Sequence, residues 1–379
     1  MPRNRKKGFY YAVTSVNLAV VVIMWFSLDR RFLEKYHFRW SIQDWETIEF
    51  PLLLATSVMA YLLAKGLFQG VSKRETKPVL KFDPLCRSLL AGNLIIVGIS
   101  VALTMFGREY FGLNVKELGH IALAQEFLIL VGLVLICATV WRLRNSDLRS
   151  IFGIKVAWIC GLMGIAVFLL LMEEISWGQH FLGWGTPEAF TGNIQNETNI
   201  HNFYTNRFEF LYYSLAFSCF VLLPIVAGQI RNQLFEPLRF FVPPVSFGIA
   251  AIPVTGFMYE SWGILIFQVY FLIGVSLAYL AANATPEKTR WPLIGIGVAM
   301  VVSQIVYLVY GHKLMSSYEI GEMRELSISF TLAVYSMWLL AKAREISQNP
   351  IEHRLKFEER RDELPIRGSA KWTRFMGWG

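Results

Sequence analysis

Residues 173–202 read EEISWGQHFLGWGTPEAFTGNIQNETNIHN and bring Glu173, Glu174 and Glu197 together with His180 and His201 in thirty positions. A carboxylate beside an imidazole is equipment for general acid–base catalysis: one takes a proton from an attacking group, the other returns one to the leaving group. Glu174, Glu197 and His201 are the candidate catalytic residues. The side-chain amides of Gln179, Asn199 and Asn202 can orient a substrate through hydrogen bonds, and Glu126, Glu173, His180 and Glu260 complete the expected binding set. If the helix before it continues, Glu173, Ser176/Trp177 and His180 share one face. If the later piece is helical, Asn193, Glu197 and His201 share another. A Glu and a His four residues apart suit a divalent metal, with His180 the third candidate ligand.

This polar segment lies between two apolar runs, 156–172 and 208–230. The chain has 379 residues, 54% hydrophobic and 17% charged, with mean hydropathy +0.42. Soluble domains carry about 25% charged residues, so lipid rather than water is the expected solvent for much of the surface. The fold class is all-α, a polytopic transmembrane helix bundle. Ten apolar runs are candidate spans: 8–28, 50–70, 88–106, 118–141, 156–172, 208–230, 240–258, 262–282, 291–310 and 326–341, the last beginning as early as Tyr318. The first follows the basic start MPRNRKK and has no small-residue cleavage site, so it reads as an uncleaved span rather than a signal peptide.

With the N-terminus cytoplasmic, 26 of the 36 Lys and Arg residues fall in inner segments and 9 in outer ones, with Lys65 inside a span. That asymmetry sets both termini in the cytoplasm. It also accounts for the net charge of +8 without any nucleic-acid partner. The 12 Trp residues suit the two interfaces. Residues 1–341 form the transmembrane domain with an outer-face polar cap at 173–207. Residues 342–379 form a basic cytoplasmic tail whose Trp372, Phe375 and Trp378 suit contact with anionic lipid headgroups. No cysteine lies in the outer loops and no C-x-x-C pair is present, so neither a disulfide framework nor a thiolate zinc site is expected.

On this topology Glu126, Glu173, Glu174, His180, Glu197, His201, Glu260, Glu319 and Glu322 all map to the outer side. Glu126 stands inside an apolar helix, LGHIALAQEFLILVGLVLICA, where an acid costs a few kcal/mol unless paired or hydrated. His120, His180, His201, Lys313 and Arg324 are its candidate partners. Glu319, Glu322 and Glu325 suit a helix N-terminus. The run 240–258 holds Pro243, Pro244, Pro253, Gly248 and Gly256 and reads as a bent or broken helix leading to Glu260.

The blocks Glu173-Glu-Ile-Ser-Trp-Gly-Gln179 and Asn193-x-Gln-x-Glu197-Thr-Asn-x-His201-Asn202 resemble a signature of bacterial polytopic membrane proteins without an assigned activity. The resemblance implies a multi-pass protein of the bacterial inner membrane and carries no reaction with it. Asp44-x-Glu46 is similar to the acidic pair that some membrane enzymes use near a lipid-linked sugar donor. Three functions follow. The first is an enzyme acting on a lipid or lipid-linked (polyisoprenoid or glycan) substrate of the cell envelope. The second is a transporter or channel lined by Glu126 and the broken seventh run, which needs Lys65, Asn93, Gln268 and Gln304 to continue the path inward. The third is a non-catalytic subunit or assembly factor that docks membrane-protein partners.

Overall fold

The computed structural model describes residues 49–72, 82–116, 118–148, 153–193, 195–203, 205–229, 240–258, 265–285, 287–314 and 319–348. The first apolar run, Glu260 and the tail beyond Gln348 lie outside them. The described residues are helical, with no strand among them. Besides a one-turn helix at Gln179–Leu182, the helices in chain order are α1 (Glu49–Ser72), α2 (Pro84–Phe106), α3 (Arg108–Asn114), α4 (His120–Leu143), α5 (Val156–Glu174), α6 (Thr205–Ala216), α7 (Leu223–Gln229), α8 (Val245–Ala250), α9 (Leu265–Ala284), α10 (Glu287–Tyr310) and α11 (Glu319–Gln348). A π-turn, Phe217–Leu222, joins α6 to α7.

Among the described residues, seven helical stretches are long and apolar enough to cross a membrane, the profile of a multi-pass membrane protein. A 24-residue helix such as α4 is about 36 Å long, against a hydrocarbon thickness of about 30 Å. Two further apolar stretches, Leu53–Leu67 and Val245–Phe257, are shorter. The run expected at 88–106 starts at Pro84, because Asp83 caps the first turn by accepting from Cys86 N at 2.7 Å and proline fits the first helical position. The last helix spans 30 residues and begins at Glu319, beside the early start expected near Tyr318.

The 240–258 run is broken as its prolines imply. Helix α8 passes through Ala251 into a 3₁₀ segment, Ile252–Phe257, with Pro253 near its start. Lipid would leave such irregular backbone unsatisfied, and the chain meets the problem by burial. Phe247, Ile249, Ile252, Val254 and Phe257 are all fully enclosed, and the segment touches α2, α9, α10 and α11.

Helix α11 is the hub of the bundle and packs chiefly on α4 and α2. Lipid tails are as apolar as leucine, so helices in membranes are held by close packing and shared hydrogen bonds. Asn93 on α2 donates to Thr331 Oγ1 at 3.0 Å and accepts from Ser327 Oγ at 2.7 Å, both on α11. Tyr307 on α10 donates to Ser100 on α2 at 2.8 Å. Gln304 donates to the Gly256 carbonyl that the broken helix leaves open. On α9, a Cβ at Gly274 would stand 2.3 Å from Thr255 Oγ1, so that crossing requires glycine.

Gly274→Ala is therefore expected to lower stability by about 1–3 kcal/mol through overpacking. Adding Thr255→Ala should recover part of the loss. Thermal midpoints of the two single variants and the double in detergent check this; purely additive losses would refute the contact.

Candidate functional site

Helices α4, α6 and α11 begin, and α5 ends, at the same end of the bundle, and the polar residues collect there. Helix α5 stops at Glu174, and the chain turns through Ser176 (φ 47°), Trp177 (φ 55°) and Gly178 (φ 86°), three successive residues in the left-handed region. Glycine accepts this freely, but for the other two it costs roughly 1–2 kcal/mol each. Such strain persists only where neighbours hold it. Two carboxylates do so. Glu173 Oε1 accepts from the Trp177 indole at 3.1 Å, and Glu197 Oε2 accepts from Ser176 Oγ at 2.9 Å.

Beyond the turn, residues 179–203 fold into a roof over the bundle end. The described residues of 193–200 are not helical, so Asn193, Glu197 and His201 do not form the expected single face. The helix does not continue past Glu174 as one piece either. The roof is instead wrapped around Glu197, which is 7% exposed. Besides Ser176, its Oε2 accepts from Asn199 Nδ2 at 2.8 Å and Asn202 Nδ2 at 3.1 Å. His180 Nε2 lies 3.3 Å from Oε1. Asn193 donates to the Glu197 carbonyl at 2.6 Å and accepts from its N–H at 3.1 Å. Gln179 Oε1 accepts from Thr198 N at 2.6 Å and Thr198 Oγ1 at 2.8 Å, closing the roof on its far side.

Adjacent acids face different ways. Glu173 pins the roof down: its Oε2 accepts from Ile200 N at 2.7 Å and His201 N at 3.0 Å and stands 3.5 Å from His201 Nδ1. Glu174 turns into the bundle, where its Oε2 accepts from Gln125 Nε2 at 2.8 Å. The same Nε2 donates to Glu325 Oε2 at 3.2 Å. One amide thus joins α4, α5 and α11 through two carboxylates. Tyr213 on α6 donates to the other oxygen of Glu325, and the guanidinium of buried Arg324 stacks 3.4 Å from the Tyr213 ring centroid. Gln125 itself is 2% exposed.

Glu126 is half-buried one position off this contact and has His180 as an electrostatic neighbour. His120 points away to Tyr110 at 3.2 Å. The structure therefore brings Glu126, Glu173, Glu174, Gln179, His180, Glu197, Asn199, His201 and Asn202 to one bundle end. Gln125 and Tyr213 belong to the same cluster and were not singled out from sequence; Ser176 and Glu325 belong to it too, though the sequence placed them only on a helix face and at a helix N-terminus. A signal for Gln125 was present: it shares a helix stripe with Ile121, Ile129, Gly132, Ile136 and Thr139, all buried, whereas Glu126 is off that stripe.

As metal ligands the three candidates divide. His201 is engaged with Glu173 and His180 with Glu197, and among the described residues no three His, Cys, Asp or Glu side chains gather at one point. A divalent ion at Glu197 would take His180, not His201, as its second ligand. Comparison with protein-family models, curated proteins and solved structures finds no match to the chain.

Burial by itself would depress the His201 imidazole. The hydrogen bond to Glu173 and the fields of Glu174, Glu325 and Glu173 outweigh it and raise the group above its ordinary value. A raised folded-state value means the latch stabilises the roof fully below the unfolded value, about 6.5, and loses that contribution as pH rises through the folded value. Hydrogen exchange of the 198–203 amides, corrected for intrinsic rate, should show protection falling across that window. His201→Gln should flatten the dependence, and a flat wild-type profile would exclude the latch.

Glu197→Ala takes the acceptor from the Ser176 hydroxyl, at about 1–3 kcal/mol for a buried group left unpartnered, and one of two acceptors each from Asn199 and Asn202, which keep Ser176 Oγ and Gln195 Oε1. Limited proteolysis should then cut within 179–202 much faster than in the wild-type protein, with the transmembrane helices still resistant. Unchanged roof cleavage would show that Glu197 does not organise it.

Proposed function

We propose that the protein is an integral-membrane enzyme of about ten spans with both termini cytoplasmic. It sits in the bacterial inner membrane and acts on a lipid or lipid-linked (polyisoprenoid or glycan) substrate of the cell envelope. The observation that carries this reading is the Gln125 amide held between the Glu174 and Glu325 carboxylates, with His201 an electrostatic neighbour of both. Paired carboxylates facing an imidazole suit proton transfer in group-transfer chemistry. Glu174 or Glu325 takes the proton of an attacking hydroxyl, Gln125 fixes the two carboxylates, and His201 is the facing acid. Glu197, whose Oε2 already accepts from three roof donors, is a positioning residue in this scheme, as is Glu173.

A transporter is less well supported. Two of the polar residues that would continue a path inward are spent on helix contacts: Asn93 on Thr331 and Ser327, and Gln304 on Gly256.

The test incubates purified protein, reconstituted in vesicles of a native lipid extract, and follows lipid and glycolipid species by mass spectrometry. Wild-type protein is expected to convert at least one species. Glu174→Gln and Glu325→Gln should each slow conversion by about 10²–10⁴-fold at unchanged abundance and melting temperature. No conversion by the wild type, together with ion uptake or a stoichiometric protein partner on native purification, would replace this reading with transport or assembly.

A further inference from the structure

The roof is built inside out for a segment in water. Its enclosed side chains are polar: Ser176, Gln179, Asn193, Glu197, Asn199 and Asn202. Its exposed side chains along 177–184 are Trp177, Phe181 (52% exposed), Leu182 (71%) and Trp184. An irregular aqueous loop has no reason to turn its amides inward and its large apolar groups outward; a segment in lipid must do so, because backbone and side-chain polar groups find no water there. The internal satisfaction is correspondingly dense. Glu173 takes two backbone N–H groups, Gln179 takes Thr198 N, Asn193 takes Glu197 N, and local turns take Gly183, Phe190, Thr191 and Asn199.

The spans at that bundle end are likewise apolar on the outside, where Leu123 and Phe127 on α4 and Phe168 and Leu169 on α5 are exposed. The 188–196 stretch differs: Glu188, Gln195 and Asn196 are exposed and polar. Tryptophans at 177 and 184 suit the boundary between chains and headgroups.

We infer that the 177–184 edge of the roof is immersed in one membrane leaflet, with acyl chains as its partner, while the 188–196 edge faces water. The roof is then not a wholly aqueous cap. The inference rests on the membrane reading of the fold and not on catalysis.

The experiment uses the unaltered chain in vesicles of phosphatidylcholine and phosphatidylglycerol doped with a phospholipid carrying a diazirine in its acyl chain. After irradiation, adducts are mapped by peptide mass spectrometry; a parallel sample receives hydroxyl-radical footprinting. Acyl adducts are expected in 177–184 at yields comparable to those at Leu123 and Phe127, several-fold above 188–196. Trp177 and Trp184 should be shielded from radicals until the protein is denatured. Adducts on the span residues but none in 177–184, with both tryptophans oxidised in vesicles, would overturn the inference. No adducts on the span residues either would overturn the membrane reading together with it.

Discussion

A carboxylate within a bundle of apolar helices must be given donors, and that requirement organises one end of this protein. Glu174 and Glu325 sit on different helices, and the amide of Gln125 on a third satisfies both. Two carboxyl groups brought together away from water need a donor between them, and the Gln125 amide supplies it. That places α4, α5 and α11 in a fixed register at this end. Tyr213 extends the constraint to α6. The neighbouring roof depends on the same logic, since its own carboxylates serve as acceptors for a segment whose regular structure is limited to single turns of helix.

The division of labour among the acids follows from geometry. Glu173 and Glu174 are consecutive, so at a helix end they diverge by about 100° around the axis. One reaches the roof and the other the bundle interior. Glu173 and Glu197 together hold the left-handed turn at Ser176–Trp177, which neither residue would adopt without support. The strained turn in turn places Gln179 and His180 where they meet Thr198 and Glu197. Remove either carboxylate and the turn has no reason to persist, which is why these two acids are read as positioning groups and the Glu174–Glu325 pair as the reactive one.

Much of the architecture was legible in the residues. Apolar run length located the seven long apolar helices among the described residues, and Pro243, Pro244 and Pro253 foretold the broken helix that the structure encloses. Collection of the polar residues at one end followed from alternating the runs across a membrane. Less legible were the partners. The i, i+4 spacing of Glu197 and His201 pointed to a shared helical face, yet the segment is irregular and each residue pairs elsewhere. Glu126 drew attention because an acid in an apolar helix is costly, while Gln125 beside it, on the buried stripe, makes the contact that joins three helices.

By itself, the sequence determined the solvent, the helical class, the approximate spans and the set of polar residues at one end, because those depend on composition and on one-dimensional periodicity. Only the tertiary structure decided which acid meets which donor, and which side of the 173–202 stretch is turned outward. Both depend on helix register and on a left-handed turn, and a shift of one residue rotates a side chain by about 100°, enough to exchange Gln125 for Glu126 or lipid for interior.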